Sequence, residues 1–550
     1  MRRPRAKTAP LAAAALVAAL VPALYGRVLR LWWTFDDFFC LHFLRDHTAA
    51  ACLFSPAAWA PSRMFTPLLF LSMESDLRAF GLRPVFFYGH QLVALAATAV
   101  ALFALLRLWL EAGVSCLTSA LFVLGAPMGS WVQELLVRHY IEGLLGAVLA
   151  TWCFVRSSRE ARPALGGISA LLYLLAMLAK EIYVPLLVLL LILPEGSFRS
   201  RVRRAWPQGL ALVVYLAWRY AILGTVMGGY GWTIRAEELP RLIVELPGKF
   251  GASLFGASAP GNVLLALLLA LGAAGALVHR SRAVGLLLAS LVLVASPVLT
   301  VSKAFRPHYA GLAWLTLAIA FGFGCQALLD AWRVPRAAVG LLAAATLGAA
   351  FAANRHAWHA GYDRAERGSV EGRAFLAMKD GELLRHPSIP PAAMMELRWF
   401  KEVGLALPKG AGWFDDDLYV CAADRNIRGI REYDPRTRSL VDATERLPGI
   451  RSNYCAALRD APLEAAFWRS ADGLFWELGP YPSGRYALVF FDGVERVDVA
   501  RRDGYRNDAT VLTLRVRYEA PEGWVTFSPE LSADLRAGRP FRWERAAAGR

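Results

Sequence analysis

The chain has 550 residues, of which 56% are hydrophobic, with 18 tryptophans and a formal net charge of +16. A soluble core of this size does not need so much apolar residue, because core volume grows more slowly than chain length. The apolar residues form Leu-, Ala- and Val-rich blocks separated by short basic segments, which excludes a purely soluble enzyme and fits helices that satisfy their own backbone in lipid. The basic residues sit beside those blocks, where they set topology, so no nucleic-acid partner is expected.

Met1 to Lys7 carries four basic residues ahead of the apolar run Ala9–Tyr25. No small-residue cleavage site follows, so an uncleaved first helix is expected rather than a removed signal peptide. With that span at 9–27, further apolar spans are predicted near 84–108, 114–130, 138–155, 163–179, 182–194, 206–223, 261–278, 283–300, 308–329 and 336–353, eleven in all. The spans at 163–179 and 182–194 are short and separated by Lys180-Glu181, so a broken hairpin is the alternative there. The segments 156–162, 195–205, 279–282 and 330–336 are short and basic, carrying Arg156, Arg159 and Arg162, then Arg199, Arg201, Arg203 and Arg204, then Arg280 and Arg282, then Arg333 and Arg336. The positive-inside rule makes these cytoplasmic together with the N-terminus. A multi-pass protein of the plasma (inner) membrane is expected, with a transmembrane domain over 1–355 that includes a long external loop at 28–83.

Residues 356–550 differ in character and are expected to form a soluble extracytoplasmic domain. Tyr486–Phe491, Val494–Val499 and Thr510–Tyr518 read as short strands between Gly- and Pro-containing turns, whereas 370–405 look helical. The predicted domain is α+β or β-rich. Of the seven cysteines, Cys116, Cys153 and Cys325 fall in apolar spans as packing residues. Cys40 with Cys52, and Cys421 with Cys455, fall in external segments where disulfides are permitted.

The external loop opens Trp32-Trp33-Thr34-Phe35-Asp36-Asp37-Phe38-Phe39. Adjacent carboxylates among aromatics beside a bilayer are expensive to hold, and a desolvated carboxylate with a like-charged neighbour holds its proton more tightly, which suits a general base or metal ligand. A helix cap within an aromatic belt is the structural alternative. The loop continues through Ser62-Arg63, Glu74-Ser75-Asp76 and Phe80-Gly81-Leu82-Arg83-Pro84. Glu74 and Asp76 could hold a divalent ion, but their spacing better suits a solvated helix face. Glu134, Arg138 and Glu142 have the i, i+4, i+8 spacing of an ion-pair ladder on one helix. His139 and His308 read as hydrogen-bonded polar residues rather than metal ligands. Phe414-Asp415-Asp416-Asp417 lacks the spacing of a defined Ca²⁺ loop and reads as a solvated turn.

The order of these motifs resembles the GT-C superfamily of membrane glycosyltransferases, which take sugars from polyprenyl-phosphate donors. The resemblance covers about residues 1–355. It lies in the acidic pair after the first helix, the Phe80-Gly81-Leu82-Arg83-Pro84 entry to the second, Arg138-His139-Tyr140-Ile141-Glu142, Lys180-Glu181 with Pro185, and Ser302-Lys303-Ala304-Phe305-Arg306-Pro307-His308-Tyr309. It implies sugar transfer, with inversion, from a polyprenyl-phosphate donor to an extracytoplasmic protein, lipid or glycan acceptor. Asp36 or Asp37 would be the base. Arg306, Arg138, Lys180 and Lys303 would bind the donor phosphate, since cations neutralise it as a leaving group. Arg63, Glu74, Asp76, His139, Glu142, Glu181 and Tyr309 would support the site, with a divalent metal ion as the one cofactor to consider. Two other classes compete. One is a polyprenyl-linked glycan flippase, which would place broken helices near the midplane and often shows repeated halves. The other is a non-catalytic scaffold with an external binding domain, indifferent to Asp36 and Asp37.

Overall fold

The computed structural model describes residues 9–59, 65–193, 195–226, 239–256, 258–279, 305–388, 412–421, 427–470, 473–505, 511–535 and 540–545. The chain divides into two compact units. One takes residues up to Leu31 and most of Phe39–Ala365, and the other takes Trp32–Phe38 and Glu366 onward.

The first unit is helical. Its principal helices are α1 (Ala9–Tyr25), α2 (Phe35–Asp46, whose first residues cluster with the second unit), α3 (Pro67–Phe80), α4 (Pro84–Leu106), α5 (Ala112–Val123), α6 (Ala126–Gln133), α7 (Arg138–Glu160), α8 (Pro163–Ala179), α9 (Leu186–Ile192), α10 (Trp206–Leu223), α11 (Ala259–His279), α12 (Gly311–Asp330) and α13 (Arg336–Ala377). Proline opens α3, α4 and α8 at the first turn, where its missing N–H is not needed. Gly81 ends α3 at φ +59°, a conformation that favours glycine.

Five helical stretches are long and apolar enough to cross a membrane: Pro10–Arg30, Pro84–Leu106, Ala259–Val278, Pro307–Asp330 and Arg336–Ala377. The pair α5–α6, bent by 58°, makes a sixth if it counts as one span. The expectation of eleven spans is therefore corrected to five or six among the described residues. The reasons are local. The predicted span 114–130 breaks at Leu124-Gly125 ahead of Pro127, and 163–179 ends at Lys180, whose extended backbone and the following Pro185 leave only the seven-residue α9 beyond. Helix α7 carries Arg138 and Glu142 near its start and three further charges in its last five residues. The predicted last span does not stop at 353 but continues unbroken to Ala377. The predicted span 283–300 lies outside the described residues.

Each interruption strands carbonyls that a neighbouring side chain takes up, as apolar surroundings demand. At the α5–α6 break, Trp314 Nε1 donates to Leu121 O (3.1 Å) and Phe122 O (3.0 Å), Asn354 Nδ2 to Leu124 O (2.8 Å), and Trp358 Nε1 to Gly125 O (3.3 Å). Gly125 is required there, because a Cβ would lie 2.2 Å from Trp314 Nε1. At the α6–α7 break, Gln91 Nε2 donates to Trp131 O and to Glu134 O.

The second unit has a small sheet ordered β2-β1-β3-β4, from β1 (Glu382–Arg385), β2 (Trp413–Phe414), β3 (Gly429–Asp434) and β4 (Ser439–Asp442), with β1 parallel to both its neighbours. Two antiparallel sheets follow. One orders β11 (Val525–Phe527), β10 (Val511–Glu519), β7 (Arg485–Phe490) and β8 (Glu495–Val499), with β12 (Leu531–Asp534) also on β10; the other orders β13 (Phe541–Arg545), β5 (Leu463–Ser470), β6 (Gly473–Gly479) and β9 (Arg502–Tyr505). Phe467, Trp476 and Leu478 from one sheet and Leu488, Val516 and Tyr518 from the other share one core, so the two form a sandwich. The β-rich expectation holds. The expected helix over 370–405 extends only to Ala377, after which β1 begins, and 389–411 lie outside the described residues.

The acidic run Asp415-Asp416-Asp417 is not the solvated turn expected. The amides of Asp415 and Asp416 both donate to Gly493 O (3.0 Å each). Buried Asp416 accepts from Tyr454 Oη and pairs with Arg517 Nε at 3.0 Å, and Asp417 takes a bidentate bond from Arg385 (2.8 and 2.7 Å). Burial pushes the Asp415 carboxyl up from 3.8 to about 6. Because the folded state holds that proton more tightly than the unfolded chain, stability should rise as the pH falls from about 6 toward 4. Asp415→Asn should remove this dependence and stabilise the fold at pH 7 by up to about 3 kcal/mol. Thermal unfolding of the full chain at pH 5 and 7, with hydrogen exchange at residues 415–419, checks it.

Candidate functional site

Two polar clusters lie inside the helical unit. The first joins α3, α4 and α7. Arg138 is fully buried and pairs with Asp76; its guanidinium also donates to Ser72 Oγ (3.2 Å) and Phe87 O (2.8 Å). His90 Nδ1 contacts Asp76 Oδ1 at 2.9 Å, while its Nε2 stands 3.6 Å from Glu142 Oε1, which accepts from Ser72 Oγ. Burial alone would push the Asp76 carboxyl up, but the His90 bond and the Arg138 charge outweigh it and hold it below its ordinary value.

This cluster changes three expectations. Asp76 is buried rather than on a solvated helix face; only Glu74, paired with exposed Arg78 at 2.5 Å, fits that description in part. The Glu134–Arg138–Glu142 ladder does not form, because Glu134 lies in the extended break before α7 and Arg138 turns to Asp76 instead. Arg138 is a structural cation here, already committed to a carboxylate and a carbonyl.

The second cluster gathers where two helix interruptions and the start of the 307–330 stretch meet around Tyr140. The break at 134–137 brings His139 and Tyr140, the break at 180–185 brings Lys180, Glu181 and Tyr183, and the turn at 306–310 brings Arg306, His308 and Tyr309. Lys180 is 2% exposed at its side chain, with Nζ 3.4 Å from Glu181 Oε1 and 5.7 Å from the centroid of the Tyr140 ring. Tyr183 Oη donates to Tyr140 O (2.5 Å), and Trp131 Nε1 to His308 O (3.0 Å). Tyr140 lies 5.2 Å from the His308 ring and 6.2 Å from Tyr309. The Tyr183 ring fits only because residue 143 is glycine, where a Cβ would lie 2.3 Å away. Lys180 and Arg306 both act electrostatically on His308, and Lys180 and Arg219 both act on Glu181. Arg306 itself is exposed. His139 Nδ1 bonds Leu136 O at 2.6 Å, as expected of a hydrogen-bonded histidine.

The structure thus gathers Lys180, Glu181, His139, Arg306 and Tyr309 and places Arg138, Asp76 and Glu142 in the other cluster. Arg219, Tyr215 and His90 have no role in the sequence reading. Arg219 was discoverable, as a lone charge within an apolar run; it is buried and donates to Tyr215 Oη at 3.4 Å. Arg63, Lys303 and the side chain of Asp36 lie outside what is described.

Asp37 is fully buried. Its carboxylate accepts from the Thr34 N–H (2.7 Å) and Thr34 Oγ1 (3.0 Å), and its own amide donates to Thr34 O. With Thr34 just before α2, the Asp37 carboxylate supplies the acidic half of a capping box, while the Thr34 hydroxyl donates to that carboxylate rather than accepting the Asp37 amide. Among the described residues no three His, Cys, Asp or Glu side chains converge as a metal centre.

Cys40 and Cys52 are buried and unbridged. Cys421, ending α14 (Leu418–Cys421), lies within hydrogen-bonding reach of Cys455 on α15 (Leu447–Ala457), and burial pushes its thiol up to about 12. Both are reduced in the structure.

No protein-family model matches the chain, and no curated protein matches it either.

Two outcomes are expected. Arg138→Met should destabilise the helical unit by about 3–5 kcal/mol by stranding Asp76, and Arg138→Met with Asp76→Leu should recover most of it; detergent-solubilised thermal unfolding reads both. Oxidised glutathione should join Cys421 to Cys455, so that two of the seven thiols no longer react after denaturation, and Cys455→Ser should prevent this.

Proposed function

We propose that this chain is a membrane glycosyltransferase that moves a sugar from a polyprenyl-phosphate donor to an extracytoplasmic acceptor. The observation that carries the reading is the second cluster, where two helix interruptions and the start of the 307–330 stretch bring buried Lys180, exposed Arg306 and the rings of Tyr140, His308 and Tyr309 together. The start of α7 at Arg138 adds a positive helix end, which favours an anion.

In the proposed reaction, a carboxylate removes the proton of the acceptor hydroxyl. The oxygen attacks the anomeric carbon as its bond to the phosphate oxygen breaks, and configuration inverts. The departing polyprenyl phosphate keeps the electron pair, and Lys180, Arg306 and Lys303 stabilise that charge. Arg138 leaves this set because Asp76 already occupies it. Asp36 and Asp37 remain the candidate bases from the resemblance, with Asp37 also serving as the cap. The short basic segments support a cytoplasmic N-terminus in a plasma membrane, and an odd number of spans, such as the five continuous ones, puts the β-rich unit outside.

A second reading, a polyprenyl-linked glycan flippase, is favoured by one observation, the 58° break between α5 and α6. Membranes holding the full chain and radiolabelled polyprenyl-phosphate hexoses or pentoses separate the two. Transfer to endogenous acceptor should be seen, reduced about 10²–10³-fold in Lys180→Met and lost in Asp36→Asn with Asp37→Asn. Transfer unchanged in the double variant rejects the base assignment. Transbilayer movement of the labelled lipid without transfer would establish the flippase.

A further inference from the structure

The geometry points to a glycan-binding platform on the outer face of the β13-β5-β6-β9 sheet, centred on Trp468 and Phe475. Along β5 and β6, Leu463, Ala465, Phe467, Leu474, Trp476 and Leu478 turn into the sandwich core. Strand alternation therefore sends Trp468, Phe475, Ala466 and Glu477 to the opposite face. Trp468 stands directly across from Phe475, and Phe475 from Gly504 on β9.

The glycine shows how the rings lie. A Cβ at Gly504 would come within 2.3 Å of Phe475 Cδ1 and 2.5 Å of Cε1, so the phenyl ring is laid over the bare backbone of the next strand. The Trp468 ring is within 16° of parallel to it, with centroids 6.0 Å apart. At that separation the near-parallel rings are offset rather than eclipsed, so together they form one contiguous aromatic patch. Both are only partly buried.

The neighbouring row reads Arg542, Ala466, Glu477 and Arg502 across the four strands, with both arginines and the glutamate exposed. It lies about 7 Å from the aromatic row, two residues along the strand. Ala466 keeps the centre of that row low. An apolar plane edged by both a carboxylate acceptor and guanidinium donors matches a pyranose ring, whose C–H face is apolar and whose hydroxyls both donate and accept. The mixed charge argues against an anionic lipid surface, which would need cations alone. Sugar binding here stands by itself; a role in holding the acceptor rests on the transferase reading.

The test uses the full chain in nanodiscs without donor, titrated calorimetrically with mannohexaose, arabinohexaose, galactohexaose and cellohexaose. At least one hexasaccharide should bind, and Trp468→Ala and Glu477→Gln should each weaken it by about tenfold or more, with unchanged thermal unfolding. Binding with Lys180→Met should be as in the unsubstituted chain, so a failed transfer assay and a failed platform are told apart. No binding by any of the four, or equal binding by Trp468→Ala, overturns the proposal. So does self-association of the chain that Trp468→Ala abolishes, which would assign the face to a second copy.

Discussion

The helical unit depends on one constraint, that carbonyls freed by a broken helix in apolar surroundings must find a donor. An unbroken span satisfies itself, and α4 and α12 do so over most of their length. The segments around Gly125, Glu134 and Lys180 do not, and each is stitched by side chains from another helix. Trp314, Asn354 and Trp358 serve the first break, Gln91 the second, and Tyr173 Oη, donating to Val184 O at 2.6 Å, serves the third. An unmet buried carbonyl costs several kcal/mol in such a setting, so these five side chains fix where the helices can break and how their neighbours are placed.

The breaks in turn gather chemistry. A continuous helix presents only side chains to its surroundings, whereas an interrupted one also presents helix ends and turns with free backbone groups. Residues flanking the interruptions, namely His139, Tyr140, Lys180 and Glu181, can therefore approach His308, at the start of the 307–330 stretch, from different helices at one point. Glycine at 143, opposite Tyr183, and at 311, where a Cβ would lie 2.1 Å from the Trp131 ring, lets those aromatic residues close the cluster.

Much of this was legible in the sequence, and the rest was hidden for physical reasons. Apolar blocks announced the helices long enough to cross a membrane, and the short strand-like runs from Tyr486 and Thr510 announced the β-rich second unit. Span counting failed because hydropathy registers composition but not the 58° bend at Gly125 or the extended backbone of Lys180. Asp76 looked solvated because its partners, His90 and Arg138, are 14 and 62 residues away, and no local pattern encodes such pairing. The Asp415–Asp417 run misled for the same reason, since Arg385 and Arg517 reach it from β1 and β10. The acidic pair at Asp36-Asp37 carries two readings in the sequence because its partner is local: the Asp37 carboxylate accepts from Thr34 at the start of α2, a contact that a short Thr-x-x-Asp spacing encodes.

The two buried clusters differ in a way that separates structure from chemistry. In the first, the Arg138 guanidinium is enclosed completely by a carboxylate, a hydroxyl and a carbonyl. Such closed pairs contribute little net stability but fix which helices meet, because a wrong partner would leave a buried charge alone. That suits a joint between α3, α4 and α7. In the second, buried Lys180 faces aromatic rings and one carboxylate, and its field reaches His308, which the exposed Arg306 also influences. A cationic path that runs from an enclosed ammonium to a solvent-facing guanidinium is poorly suited to holding helices in register. Under the proposed reading, this enclosed ammonium with its solvent-facing guanidinium is what receives the phosphate of the donor.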